Sequence, residues 1–290
     1  MSIEPSSAVP VLLLAVRDEY AGRRWAPPGR HWPAQPTAVG GLDLLAGGTW
    51  LAVGPGGPDG TGRTGGTDGT GGPGEPGGGP VAACLLNGFG TPAPARARQS
   101  RGELPLLAVR GGRIDRLDLD RYDPFHLVVA RVGGARVLSW GGPGGRLAEL
   151  DLPTGLSVVL NDGPEGMAEN RTASERIRSL MAARAARFRA RFGATARPEP
   201  LPGAAPTGEA WGGWLPIVAG DGLPLDDPAA LVQRREFGDG RIWGSSSISL
   251  LAFGPAGVRY DFGPAPVEGD GGWRQVGTDT AGSTVGSATP

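Results

Sequence analysis

A continuous apolar run from Val9 to Val16 most constrains how this chain can fold. The run has β-branched ends and no charged residue, a pattern that favours a strand buried on both faces over a half-exposed one. The charged residues Arg17, Asp18 and Glu19 follow it at once. The sequence therefore predicts a central strand of a sheet, with Arg17 and Asp18 coming directly off its end.

Glycine- and proline-rich turns separate several further apolar runs. Residues 26–33 contain three prolines and are predicted to form a fixed loop. Two runs joined by Gly133-Gly134, and two joined by residues 254–257, are typical of tight antiparallel hairpins. The further predicted strands occupy residues 47–53, 81–86, 127–132, 136–140, 156–160, 248–253 and 258–262.

One long amphipathic helix is predicted between residues 172 and 192, and Gly193 is placed to end it. A second helical stretch is predicted around residues 95–109. Hairpins together with helices indicate an α+β fold of stacked layers rather than a βαβ repeat. Two packed sheets between helices are compatible with this pattern. The apolar stripe of the long helix consists of Ile177, Leu180, Met181, Phe188 and Phe192.

Glycine and proline are unevenly spread along the chain. The 53 glycines and 29 prolines concentrate in residues 54–80 and after Gly263, and these stretches have too little apolar surface to offset the entropy of ordering them. We therefore predict one domain over residues 1–263, interrupted by a disordered insert at 54–80 and followed by a disordered tail at 264–290. No function is assigned to the insert.

Charge and cysteine content exclude several classes of protein. The formal net charge of −1 gives no general attraction to nucleic acid or to anionic membranes, and the apolar run at 9–16 is too short to span a bilayer. Cys84 is the single cysteine, which excludes an intramolecular disulfide and a four-cysteine metal site and fits a reducing cytoplasm. We expect a cytoplasmic protein with no cofactor, no metal and no membrane insertion; its oligomeric state stays open.

Several motifs, in a fixed order, resemble those of one family. Residues 14–20, Leu-Ala-Val-Arg-Asp-Glu-Tyr, resemble the Asn-Arg-Asp-Glu motif that names the NRDE family, with Val16 in place of the asparagine. The animal representative of this family is called transport and Golgi organisation protein 2, and the resemblance covers most of residues 9–262. The later motifs are Gly41-Leu42-Asp43, residues 47–51, Leu86-Asn87, residues 100–104, residues 153–161 and the serine-rich stretch 243–251.

The resemblance implies an αββα sandwich of the N-terminal-nucleophile hydrolases, similar to penicillin V acylase and bile salt hydrolase. In those enzymes, removal of the initiator methionine frees a cysteine whose own α-amine accepts the thiol proton. Asparagine and backbone donors hold the oxyanion of the tetrahedral intermediate. The resemblance thus implies an amide hydrolase or acyltransferase, or an inactive descendant of one.

The chain departs from the family at its N-terminus. The family begins with Met-Cys and a whole strand, whereas here residues 1–4 lead almost straight into the apolar run. Two explanations stay open: a gene start placed too late, which we favour because the other motifs are kept, or a lost nucleophile. Ser2 is a weaker candidate because Pro5 interrupts pairing. Cys84, among apolar neighbours, is predicted to be a buried, inert thiol.

The matched motifs supply the candidate site residues. The resemblance implies that Arg17 and Asp18 support the nucleophile, although an ion pair closing the strand is an equal alternative. It implies that Asn87 and Asn161 bind the oxyanion or the terminal amine, with ordinary turn asparagines as the alternative. Three further residues are predicted to contact the substrate, with a core position as the alternative for the tryptophan: Trp50, Ser100 and Arg101.

A second hypothesis is a non-catalytic protein that binds or traffics a small molecule, since members of the family are linked to haem handling and to acyl-lipid metabolism. The sequence provides little support for haem binding. Only His31 and His126 provide imidazole, and each is predicted to lie in or beside a proline-containing turn. A third hypothesis is a structural partner protein that merely keeps the fold. The expected ligand is a small molecule or an amide substrate.

Overall fold

Two mainly antiparallel sheets form the centre of the fold, in the part of the chain that the computed structural model describes, residues 1–57, 79–165, 173–266 and 272–278. Sheet A comprises β1 (Ser2–Ile3), β2 (Val11–Tyr20), β10 (Gly155–Leu156), β13 (Arg234–Glu236), β14 (Ile242–Gly254), β15 (Gly257–Pro264) and β16 (Arg274–Gln275). Sheet B comprises β3 (Trp25–Gly29), β4 (Val39–Asp43), β5 (Leu51–Gly54), β6 (Val81–Asn87), β7 (Phe125–Arg131), β8 (Gly134–Trp140) and β9 (Ala148–Asp151). Two further short strands, β11 (Val159–Leu160) and β12 (Gly163–Pro164), pair as a small hairpin. The strand order of sheet A is β10-β1-β2-β14-β15-β16, with β13 pairing to β14, and sheet B runs in order from β3 to β9.

The two sheets pack face to face, and helices cover their outer faces. Side chains such as Leu13 and Phe253 of sheet A meet Val53 and Val128 of sheet B in a shared inner core. Alternate residues of the same strands point outward, as the period of a strand requires. The helices that cover them are α1 (Leu104–Val109) on sheet B, and α2 (Glu175–Gly193), α3 (Thr207–Trp211) and α4 (Trp214–Val218) on sheet A. The prediction of an α+β fold with mainly antiparallel sheets is confirmed.

Strand β2 is central, as its apolar run predicts, but it is longer than expected. It pairs with β14 along its whole length, from Val11 opposite Phe253 to Tyr20 opposite Trp243. Arg17 and Asp18 therefore lie inside the strand, and the prediction that they come off its end is wrong. The physical reason is that β14 supplies backbone partners beyond the apolar run, so pairing continues through charged residues.

Three local predictions need correction. Residues 25–29 form β3 rather than a loop, because β3 is an edge strand, where prolines are tolerated, and its pairing with β4 is irregular between Ala26 and Gly29. The strand predicted at 47–53 begins only at Leu51. Residues 156–160 contribute to two separate short strands, β10 and β11, which pair with different partners.

The helical predictions hold in part. The long helix is confirmed as α2, whose N-cap Ser174 accepts a hydrogen bond from the backbone N–H of Ile177. The stretch predicted at 95–109 is helical only from Arg101, as one 3-10 turn followed by α1. Pro105 at the start of α1 suits a helix beginning there, since its missing N–H would be unpaired in any case.

The glycine-rich insert and the tail lie partly outside the described residues. Residues 58–78, 267–271 and 279–290 lie outside the described residues, so the disorder predicted for them stays a prediction. Residues 272–278 are described: Arg274 and Gln275 form β16 against β15, and Trp273 packs against the outer core of sheet A. This part of the predicted tail is a strand of the sheet. No helix in the described ranges is long and apolar enough to cross a membrane.

Candidate functional site

A cavity of about 780 Å³ lies where β2, the segment 156–161, sheet B and α2 meet. It brings together all the residues that the sequence singled out for the site, although they come from distant parts of the chain. Their roles stay predictions. The seven residues in its wall are Arg17, Asp18, Trp50, Asn87, Ser100, Arg101 and Asn161.

Arg17 points from β2 into the space between the sheets. Its guanidinium lies 4.4 Å from the ring centre of Trp50 on sheet B, and its Nη1 donates to Ser246 Oγ over 2.9 Å. Its Nη2 is 3.7 Å from Glu19. Burial lowers the pKa of Arg17 below its ordinary value, yet a guanidinium stays charged at neutral pH. A fixed positive charge therefore faces the cavity from β2.

Asp18 points to the opposite face of β2, because successive residues of a strand alternate. Its carboxylate accepts a hydrogen bond from Ser245 Oγ over 2.6 Å and lies 3.9 Å from Arg184 on α2. Burial raises the pKa of Asp18, and these two neighbours partly offset that effect. The pair predicted to act together is thus divided between the two sides of the sheet, and only Arg17 lies on the inter-sheet side.

The two asparagines are joined directly. The Asn161 side-chain amide donates to the backbone carbonyl of Asn87 over 2.8 Å, which ties the end of β6 to the turn after β11. Asn87 contributes its backbone carbonyl to this contact and not its side-chain amide. Asn161 is therefore held in the cavity wall by a partner from sheet B.

The predicted substrate contacts lie on the sheet B side. Trp50 is held edge-on by Trp25, with ring centres 5.7 Å apart. Arg101 donates from Nη1 to the carbonyl of Pro124 over 2.7 Å, and burial lowers its pKa. Ser100 caps a 3-10 turn by accepting from Gly102 N–H. Arg101 and Ser100 each make a structural hydrogen bond and also line the cavity.

The N-terminus lies in the same wall. The Met1 α-amine donates to Ser157 O over 3.0 Å, and burial lowers its pKa from about 8 to about 6. Ser2 is 2% exposed, and its hydroxyl accepts from Arg197 Nε over 2.8 Å on the outer side of sheet A. Among the described residues that line the cavity, Met1 is present and Ser2 is not.

Cys84 lines the cavity as a buried thiol, whereas the histidines lie elsewhere. Cys84 lies in the inner core, and burial raises its pKa to about 12, so the thiol stays protonated, as predicted from its apolar neighbours. His126 lies near the start of β7, just after Pro124, and its Nδ1 pairs with Ser139 Oγ over 2.8 Å. His31 pairs with Pro27 O. The residues lining the cavity include neither histidine.

Sequence reasoning missed several wall residues. Met1, Ser157 and Arg184 belong to the cavity, and Ser246 holds Arg17 through a bulge in β14, where the register shifts between Ser245 and Ser247. The three consecutive serines at 245–247 are a usable signal, because small polar residues suit a bulge beside a charged group. Nothing local in the sequence marks Met1 or Arg184. In the described part of the chain, no cluster of three metal-ligating residues is found.

The buried amine predicts a pH dependence for the chain that begins at Met1. Between pH 6 and 8 the unfolded amine binds more protons than the folded one, so the free energy of unfolding is expected to rise by up to about 2–3 kcal/mol across that window. Chemical denaturation at several pH values measures this. N-terminal acetylation removes the titrating group and is the matched control. An equal pH slope in both forms would contradict the prediction.

Gly41 is predicted to hold Trp50 in place. A Cβ atom at Gly41 would overlap Trp50 Cη2, so the ring must move. We expect Gly41→Ala to lower the free energy of unfolding by about 1–3 kcal/mol and to change the near-ultraviolet signal of Trp50. Gly238→Ala, where a Cβ meets nothing within 4 Å, is the control. Equal stability of the two variants would refute this role.

Comparison with known proteins supports the motif-based resemblance at the N-terminal end. Residues 1–61 match the family model described as Transport and Golgi organisation 2, which confirms that resemblance. This stretch includes β1 to β5 and contributes Met1, Arg17, Asp18 and Trp50 to the cavity. A search of curated proteins found no match.

Proposed function

We propose, taking the match of residues 1–61 to the Transport and Golgi organisation 2 family as the premise, that this chain is an amide hydrolase or acyltransferase of the N-terminal-nucleophile type. One observation carries the proposal: all seven residues implied by the family motifs converge on a single cavity that also contains the chain's α-amine end. The layers of helix, sheet, sheet and helix agree with the sandwich that the resemblance implies.

The chemistry requires an N-terminal nucleophile beside Arg17 and Asn161. The α-amine takes the thiol proton, the thiolate attacks the amide carbonyl, and the proton passes to the leaving amine as the C–N bond breaks. Water or another acceptor then cleaves the thioester and regenerates the thiol. Arg17 lowers the pKa of a neighbouring thiol through its fixed charge, and amide donors such as Asn161 stabilise the oxyanion.

Neither nucleophile present in the chain fits this role. The Ser2 hydroxyl is turned towards Arg197 on the outer side of sheet A, and Cys84 is a protonated core thiol. The proposed reaction therefore takes its nucleophile from neither Ser2 nor Cys84.

Acyl-lipid binding is the second candidate, because the cavity wall includes a group of apolar side chains. Haem binding is not favoured, since neither imidazole reaches the cavity. The apolar group consists of Leu13, Leu86, Val128, Phe188 and Phe192.

The test uses protein purified from the native host, because its first residue is then the natural one. A panel of fatty-acyl and aryl-acyl amides and thioesters is incubated with it, with hydroxylamine as an alternative acceptor, and products are identified by mass spectrometry. We expect amine release, and hydroxamate formation when hydroxylamine is present. Iodoacetamide is expected to label the N-terminal residue and to abolish turnover. Tight fatty-acid binding without any turnover would replace the hydrolase proposal with the binding one.

A further inference from the structure

The exposed apolar side chains of the protein are concentrated in one place. In the described part of the chain six large apolar side chains are exposed, and four of them lie on three turns that contact one another. Single exposed apolar residues are ordinary, whereas a contiguous group of them marks an interaction surface. The four grouped residues are Tyr20, Leu44, Leu45 and Phe237, and the other two are Val132 and Leu201.

Hydrogen bonds, ion pairs and ring contacts join these turns. Tyr20 packs on Phe237 with ring centres 6.3 Å apart, and the guanidinium of Arg241 lies 5.4 Å from the centre of the Tyr20 ring. Arg23, in the turn that follows Tyr20, pairs with Asp43 over 2.7 Å. Residues 99–100 and 46–47 line one small pocket, so the segment 96–101 borders the same surface. We call the surface formed by residues 20–23, 43–47, 96–101 and 237–241 the mouth surface.

The mouth surface surrounds an opening of the large cavity. Several of its side chains are exposed and also line the cavity, so the cavity reaches solvent here. Leu44 and Leu45 lie on the turn beside this opening, and Leu45 is 77% exposed. A molecule that covers the mouth surface therefore also covers the entrance to the cavity. The residues of this surface that are both exposed and part of the cavity wall are Tyr20, Ala46, Arg98 and Ser100.

The charge of the mouth surface indicates what kind of molecule covers it. Its four segments carry five arginines and two aspartates, a formal net charge of +3, whereas the whole chain has −1. At its inner edge Asp123 pairs with Arg98, and Glu19 pairs with Arg17. With these three further groups included, an excess of two positive charges remains. The surface thus combines exposed apolar side chains with a positive charge that the chain as a whole lacks.

This combination matches an anionic membrane better than a folded protein partner. The apolar side chains stand on separate turns rather than on one helix or strand face, a pattern that a deformable bilayer accommodates without a matching pocket. Leucine side chains enter the edge of the acyl region, tyrosine lies at the level of the headgroups, and arginines attract lipid phosphates.

We propose that the mouth surface docks the protein on a membrane that contains anionic phospholipids, with the opening of the cavity against the bilayer. The docking goes beyond the proposed function, since it needs no turnover. It also gives an acyl chain a path from the bilayer into the apolar part of the cavity. Because the whole chain has no net positive charge, the attraction is confined to this one face.

Co-sedimentation with vesicles measures the docking directly. The full chain is mixed with vesicles of phosphatidylcholine alone or with about one-third phosphatidylglycerol added. We expect partitioning onto the anionic vesicles to be stronger by about tenfold or more, and the difference to disappear at about 1 M salt, where charges are screened beyond about 3 Å. Equal partitioning onto both vesicles would overturn the proposal. Partitioning onto neither would also overturn it and leave a protein partner as the occupant.

Paired variants then test which surface makes the contact. Leu44→Ser combined with Leu45→Ser is expected to weaken partitioning onto the anionic vesicles by about tenfold or more, because two apolar side chains no longer enter the bilayer. Val132→Ser combined with Leu201→Ser removes the two exposed apolar side chains outside the mouth surface and should change nothing. All four positions are exposed, so both variants are expected to fold, and urea unfolding checks this. Equal losses in the two variants would contradict docking through the mouth surface. Neither measurement depends on amide turnover, so failure of the proposed hydrolase leaves this test intact.

Discussion

Replacing Asp261 with alanine is expected to lower the free energy of unfolding by about 3–5 kcal/mol. Its carboxylate is fully buried on the outer face of β15 and forms a two-point pair with Arg259, with distances of 2.7 and 3.0 Å. It also accepts from Thr207 Oγ1 over 2.8 Å and from Trp211 Nε1 over 2.7 Å. Removing it leaves a buried guanidinium without its counterion and two further donors without an acceptor.

The loss of stability in Asp261→Ala should extend to the helices that cover sheet A. Arg259 also donates to the carbonyls of Leu201 and Ala205, so this network attaches the chain leading into α3 to β15. Urea unfolding gives the stability difference. Glu236→Ala removes one member of an exposed pair with Arg234 and is expected to cost under about 1 kcal/mol. A loss for Asp261→Ala as small as that control would contradict the structural role given to the buried pair.

If the proposed amide hydrolysis is correct, replacing Arg17 with methionine is expected to lower kcat/KM for an amide substrate by about 10²–10³-fold in protein made in the native host. Methionine keeps most of the side-chain length but removes the charge that faces the cavity beside Trp50. Without that charge, we expect the pKa of the proposed nucleophilic thiol to rise, so that less thiolate is present at neutral pH. The measurement is steady-state turnover of the amide identified in the substrate panel.

The pH profile of iodoacetamide labelling distinguishes the loss of the Arg17 charge from a general structural effect of Arg17→Met. We expect the labelling profile of the N-terminal residue to move to higher pH, which a general loss of stability does not produce. Arg17→Lys should restore part of the shift, because it keeps the charge. Arg24→Met, at an exposed neighbouring position, is the matched control and should change neither quantity. Unchanged turnover together with an unchanged labelling profile would contradict the role proposed for Arg17.

Much of the fold was predictable because the signal is local. Apolar runs bounded by turn residues predicted β6, β7, β8 and the β14–β15 hairpin, and helical spacing predicted α2. Errors arose where neighbours overrode local preference. Pro27 and Pro28 lie in an edge strand, and Arg274 and Gln275 complete sheet A although their surroundings are rich in glycine. In each case the strand exists because the adjacent strand of the sheet supplies the hydrogen bonds.

The candidate site was predictable as a set of residues but not as an arrangement. The sequence by itself determined the strand-forming run at 9–16, the charged residues that follow it and the motif residues from Trp50 to Asn161. These follow from side-chain type and order along the chain. Only the tertiary structure decided that Arg17 and Asp18 face opposite sides of β2, that Asn161 is held by the backbone of Asn87, and that residues 157–161 line the same cavity as β2. Strand pairing and register set these relations, and they join residues that are far apart in the chain, 74 positions in the case of Asn87 and Asn161, so no local pattern carries information about them.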